Sequence, residues 1–101
     1  MYDKIIEEFK YHPRDIHTVP LHSKIYKWFY VFVENDNLCV EPAHHNSPKS
    51  SVKKRVLLRN ECNHILEIYH KRMIGEQISR EAQECTRSQV YWYGIFSELN
   101  L

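Results

Sequence analysis

The chain ends in rings: Tyr91, Trp92, Tyr93 and Phe96 fall within six positions of one another, close to Leu101. This constrains the fold more than any other feature. Burying one such ring stabilises a protein by roughly 1.5–3 kcal/mol, so the segment has to dock on its own chain or on a second copy. Thr86, Arg87, Ser88 and Gln89 have the form of a capping box, with a hydroxyl at the cap and a Gln three residues on. They predict a final helix running to about Glu98. Trp92, Phe96 and Leu99 share one side of it, with Tyr91 and Ile95 beside them. Gly94 costs a helix interior about 1 kcal/mol against alanine, which predicts the close approach of another backbone there.

Upstream, Asp3 is placed to cap a first helix whose apolar side is Ile5, Ile6 and Phe9, and His12-Pro13 ends it. Residues 12–23 hold Pro13, Pro20 and three histidines and read as an extended connector. Lys24 to Val33 is the clearest strand, β-branched and aromatic throughout. Ile25, Lys27, Phe29, Val31 and Val33 form one face. Tyr26, Trp28, Tyr30 and Phe32 form the other. Glu34-Asn35-Asp36-Asn37 suits a tight hairpin that returns through Leu38–Glu41. Two strands are marginal alone, so a third is expected from residues 16–22, from residues 52–57 or from another chain.

Residues 42–51 read as loop. A helix over about 59–74 follows, with Leu58, Cys62, Ile65, Leu66, Tyr69 and Met73 on one side and Gly75 as its stop. Ser79 caps a short helix, Arg80 to Cys85. The expected fold class is therefore α+β: an N-terminal helix, an antiparallel hairpin or small sheet, then a three-helix C-terminal half packed on the sheet. At 101 residues, one domain spanning 1–101 is expected. No apolar run reaches the roughly 18 residues that a membrane span needs. The N-terminus is acidic where a signal peptide would be basic and then apolar, so a cytoplasmic protein without a membrane partner is expected. Cys39, Cys62 and Cys85 are odd in number and widely spaced, which fits reduced thiols.

The net charge of +1 conceals a polarised layout. Residues 1–41 carry five Lys/Arg against seven Asp/Glu, and residues 61–101 carry four against six. Between them lie Lys49, Lys53, Lys54, Arg55 and Arg59 with no acid. Such an island attracts anions, phosphates included, or pairs with the acidic flanks of its own chain or of a second copy.

Three functional readings follow. The first is a small non-enzymatic binding or interaction protein acting as a homodimer. Trp28, Tyr91, Trp92 and Phe96 would form its interface, and the basic segment would seek nucleic acid or another anionic partner. Compact chains of this kind are often accessory proteins of mobile elements. The second is a DNA-binding regulator. Residues 61–98 read helix, turn, short helix, turn, helix, with Ala82 on the short helix and Val90 early on the last. That order resembles a helix-turn-helix in outline, and the resemblance implies contacts to DNA from Arg80, Arg87, Ser88 and Gln89. The third is a ribonuclease-type toxin in which His44 or His45 moves the proton and neighbouring cations stabilise the phosphorane. Tyr26, Trp28 and Tyr30 also have the chemistry of a stacking platform for single-stranded nucleic acid, although core or interface is the commoner use of such rings. No cofactor is expected. Cys62, His64 and His70 diverge on a helix, and no Cys/His spacing suits zinc, so no metal is expected either.

Overall fold

The computed structural model describes residues 1–20, 25–74 and 88–101. Over these the chain is α+β. Helix α1 (Tyr2–Tyr11) leads into β1 (Arg14–His17), β2 (Trp28–Glu34), β3 (Asn37–Pro42) and β4 (Arg55–Leu57), followed by α2 (Arg59–Met73) and α3 (Gln89–Glu98). The strands form one antiparallel sheet in the order β1-β2-β3-β4. The three helices pack on one face of it. The expected short helix over 80–85, the Gly75 stop, Cys85 and the first two residues of the capping box lie outside the described residues.

Of the two stretches expected to supply a third strand, residues 52–57 contain β4, while the other strand, Arg14–His17, overlaps the expected 16–22 only at Ile16 and His17. The connector over 12–23 is not wholly irregular, because Arg14–His17 adds to one edge of the hairpin while Arg55–Leu57 adds to the other. Strand β2 begins at Trp28 rather than Lys24. Asn35 and Asp36 take φ values of 52° and 61°, so the hairpin closes through a two-residue left-handed turn whose twist matches that of the strands. The cap of α1 is Met1, not Asp3. Asp3 lies in the first turn instead, where a carboxylate suits the positive end of the helix dipole and pairs with Arg59 Nη2 at 2.7 Å. The Arg59 hydrogen bond and charge hold its carboxyl below the usual range, with a smaller contribution from the N-terminal ammonium.

The sheet's inner face follows from alternation. Ile16, Phe29, Val31, Leu38, Val40 and Leu57 point toward the helices and are buried. Tyr2, Ile5 and Phe9 of α1 meet them, as do Cys62, Ile65, Ile68 and Tyr69 of α2. The buried stripe of α2 is rotated from the expected one, because Leu58 is an extended N-cap residue outside the helix and Ile68 turns inward. Leu58 and Met73 stay exposed.

The ring-laden tail docks within the chain itself. Trp92 and Phe96 are wholly buried, stacked 5.6 Å apart, and Trp92 Nε1–H donates to Glu61 Oε2 at 3.1 Å. Gly94 carries the predicted close approach: a Cβ there would lie 2.8 Å from the His17 carbonyl oxygen and 3.0 Å from Phe29 Cζ. Helix α3 therefore sits directly on β1 and β2. The Tyr2 hydroxyl joins two strands, accepting from the Leu38 N–H at 2.9 Å and donating to the Leu57 carbonyl at 2.8 Å. Burial pushes its pKa up, so the hydroxyl keeps the proton it donates.

Candidate functional site

No described helix covers the sheet's other face. Alternation assigns to it Asp15 and His17 of β1, Trp28, Tyr30, Phe32 and Glu34 of β2, Cys39 and Glu41 of β3, and Val56 of β4. Asp15, Tyr30 and Glu41 lie in register across three strands. The loop after β3 folds back over this row and is held by each member of it. The Asp15 carboxylate accepts the backbone N–H groups of His44, His45 and Asn46 at 2.8, 2.7 and 2.9 Å. The His44 ring stacks on Tyr30 at 3.5 Å and 8°. His44 Nε2 lies 2.6 Å from Glu41 Oε2. Burial alone would push the Asp15 carboxyl up, but the three amides together with His45 hold it below the usual carboxylate range.

This strap divides the open face. On one side, His17, Tyr26 and Trp28 form a ring cluster with centroids 4.4 to 6.1 Å apart. Lys49 joins them, since the Trp28 N–H donates to the Pro48 carbonyl and the Ser50 N–H to the Trp28 carbonyl, both at 2.8 Å. In such a parallel bridge Trp28 and Lys49 share a face. On the other side, Phe32 lies under the Lys54 ammonium at 5.8 Å, and Lys54 Nζ holds both oxygens of Glu34 at 2.8 Å. Val56, and Leu58 just beyond the strand, stand exposed beside it.

The basic island is thus partly closed on the chain's own N-terminal acids, through Lys54 with Glu34 and Arg59 with Asp3. Arg55 pairs with Val40 on the helix side, where its Nη1 donates to Ser88 Oγ at 3.1 Å and its guanidinium lies 5.7 Å over Tyr91. Lys49 and Lys53 are exposed and have no ion pair among the described residues.

The residues expected at an interface divide. Trp28 lies on the open face, and Tyr91 is half-buried edge-on to Phe29. Trp92 and Phe96 correct the expectation: both sit in the chain's own core, so any interface is built without them. The helix-turn-helix reading fares similarly in geometry. Trp92 to Phe96 are all buried, which leaves α3 little surface to lay in a groove, and the buried Gln89 side-chain oxygen has no hydrogen-bond partner among the described residues. Arg80 and Arg87 lie outside the described residues. His44 and His45 are adjacent but differently held, since only His44 has its ring fixed by a carboxylate. Burial pushes the Cys39 and Cys62 thiols up, so neither is a ready nucleophile.

Asp15 stands outside the candidate residues that the sequence offers. No local pattern announces it, since its partners are 29 to 31 residues away. The one available signal is an acid next to Ile16 in a stretch that reads as connector.

Compared with known proteins, the chain matches no family model, no curated protein and no solved structure. Among the described residues no helix is long and apolar enough to cross a membrane.

Proposed function

We propose that this protein is a non-enzymatic binding module that works as a homodimer, with the uncovered face of the sheet as the surface where two copies meet. The observation that carries this reading is the pairing of charge on that face. Glu34 is closed by Lys54, Glu41 by His44, and Asp15 by three amides. Beside one exposed cation, Lys49, what remains is aromatic and apolar: Tyr26, Trp28, Phe32, Val56 and Leu58. A surface whose charges are matched in place loses little on desolvation against another protein, and aromatic anchors at the centre are the usual chemistry of such contacts. A polyanion would instead favour unmatched cations across the same face. The arrangement also supports binding over catalysis, because His44 has its Nε2 tied to Glu41 and one ring face covered by Tyr30.

The test is mass in solution. At tens of micromolar, light scattering should give twice the chain mass of 12.3 kDa. Tyr26→Glu, at a side chain 44% exposed, should give the single-chain mass with the fold retained by circular dichroism. A wild-type protein that stays at the single-chain mass would remove the pairing.

A further inference from the structure

We propose that the outer edge of β4, which pairs with no further strand among the described residues, accepts an extended acidic peptide as a fifth strand of the sheet. The proposal does not rest on two copies meeting: it takes only the acid-free basic segment around β4 as anion-attracting, and it concerns the edge of the sheet rather than its face.

The backbone geometry comes first. In a two-residue hairpin the closing pair, here Glu34 and Asn37, exchanges hydrogen bonds, so by alternation Phe32 and Cys39 do as well. The backbone groups of Leu38 and Val40 then point the other way, toward β4. The Leu38 N–H does so, meeting the Tyr2 hydroxyl that in turn donates to the Leu57 carbonyl. Hence Arg55 and Leu57 turn their backbone groups toward β3, and Val56 turns its N–H and C=O outward. Strand β4 is the last in the sheet order, and no hydrogen bond to either Val56 group is found among the described residues. The edge therefore offers one donor and one acceptor at strand spacing, flanked on the open face by the exposed side chains of Val56 and Leu58, 43% and 51% accessible.

Charge then selects the occupant. A second copy paired antiparallel about Val56 would set Lys53 against Arg59 and bring two basic strands side by side. Like charges directly opposite one another are destabilising, and cations on a short edge strand are a known guard against self-pairing. The same cations favour a strand carrying Asp or Glu. Lys53 has no ion pair among the described residues, and the exposed pairs Lys54–Glu34 and Arg59–Asp3 can exchange partners at little cost. An apolar residue opposite Val56 with acids on either side would satisfy the ladder, the apolar flank and the charge together, which is strand addition with side-chain selectivity.

The test uses fluorescence anisotropy with labelled nonapeptides: alternating Glu and Val, its Lys/Val counterpart, and the Glu/Val peptide N-methylated at alternate residues. Labelled oligothymidine serves as a competitor. The wild-type protein should bind the Glu/Val peptide and lose about tenfold or more in affinity toward each of the other two peptides. Val56→Pro removes only an outward N–H and is compatible with an edge strand. It should also weaken Glu/Val binding about tenfold, and Lys53→Glu should do so in proportion to the charge reversed. The N-methylated peptide keeps the test sharp if Val56→Pro fails to fold. Equal binding of the Lys/Val peptide, or undiminished binding of the N-methylated one, would overturn the proposal. Displacement of the peptide by oligothymidine that itself binds more tightly would also overturn it and assign the edge to nucleic acid. Pairing is read separately by light scattering: peptide binding retained in a monomeric Tyr26→Glu would mean that the edge works without the face, and a dimer that takes no peptide would leave the face reading standing alone.

Discussion

The two faces of this sheet carry similar side chains and do different things with them. The inner face holds Phe29, Val31, Leu38 and Val40 with no accessible surface, closed by three helices and by Trp92 and Phe96. The outer face holds Trp28, Tyr30 and Phe32 on the same strand, one residue out of phase, yet each stays partly accessible. Aromatic content does not separate them. The difference is the neighbouring polar atoms. On the inner face the central polar contact is enclosed, the Tyr2 hydroxyl lying buried between two strands. On the outer face every acid has a partner at the surface, and a loop is tied down over the middle row. The inner face is built to be closed once, during folding. The outer face has no described helix over it.

The largest effect that would test this contrast comes from truncating one indole on each side. Trp92→Ala empties a wholly buried site and leaves Glu61 without its indole donor, and should cost about 3–5 kcal/mol. Trp28→Ala should cost about 1 kcal/mol, because its ring is only half-buried among His17 and Tyr26. Chemical denaturation of both variants gives the comparison directly. Equal losses would mean that the outer rings are core and that the functional reading of that face fails.

A smaller effect tests how tightly the inner layer is closed. Gly94→Ala should gain about 1 kcal/mol from helix propensity alone. At 2.8 Å from the His17 carbonyl, however, the new methyl group would meet backbone, which cannot swing aside as a flexible side chain can. Overpacking of this kind costs about 1–3 kcal/mol and β1 would have to move, so the net change should lie between about zero and a loss of about 2 kcal/mol. A stabilised Gly94→Ala would mean that α3 does not rest on β1 as described.

These positions also show how much could be read from the residues in order. Gly94 advertised its contact because a glycine among bulky rings has few other reasons to be there. The hairpin was legible from Asn35 and Asp36, whose side chains tolerate positive φ. The α+β class followed from periodicity. Two things were not legible. Arg14–His17 is only four residues long and sits between prolines, so its strand character comes from pairing with β2 rather than from local preference. The site was less legible still. That Trp92 lies inside and Trp28 outside depends on which sheet face the helices choose, and β2 is apolar on both. Asp15 depends on a loop arriving from some 30 residues away.

The smallest expected effect concerns that loop and isolates the outer face. Asp15→Asn replaces a charged acceptor of three amide hydrogen bonds with a neutral one. Because the site is partly solvated, the loss should be only about 1 kcal/mol at neutral pH. Its pH dependence carries more information than its size. The folded carboxyl is held below its ordinary value, near 3.9, so the unfolded chain takes up the proton first as the pH falls. The carboxylate's contribution is therefore complete above that ordinary value and is lost as the pH drops through the lower folded one. The stability difference between wild type and Asp15→Asn should stay flat from neutral pH down to about 4 and close below it. Asp3, which is shifted the same way by Arg59, is common to both proteins and cancels in the difference. A gap that narrows well above the ordinary carboxylate value would place its origin outside the Asp15 carboxylate and would overturn the strap as a contact held by that group.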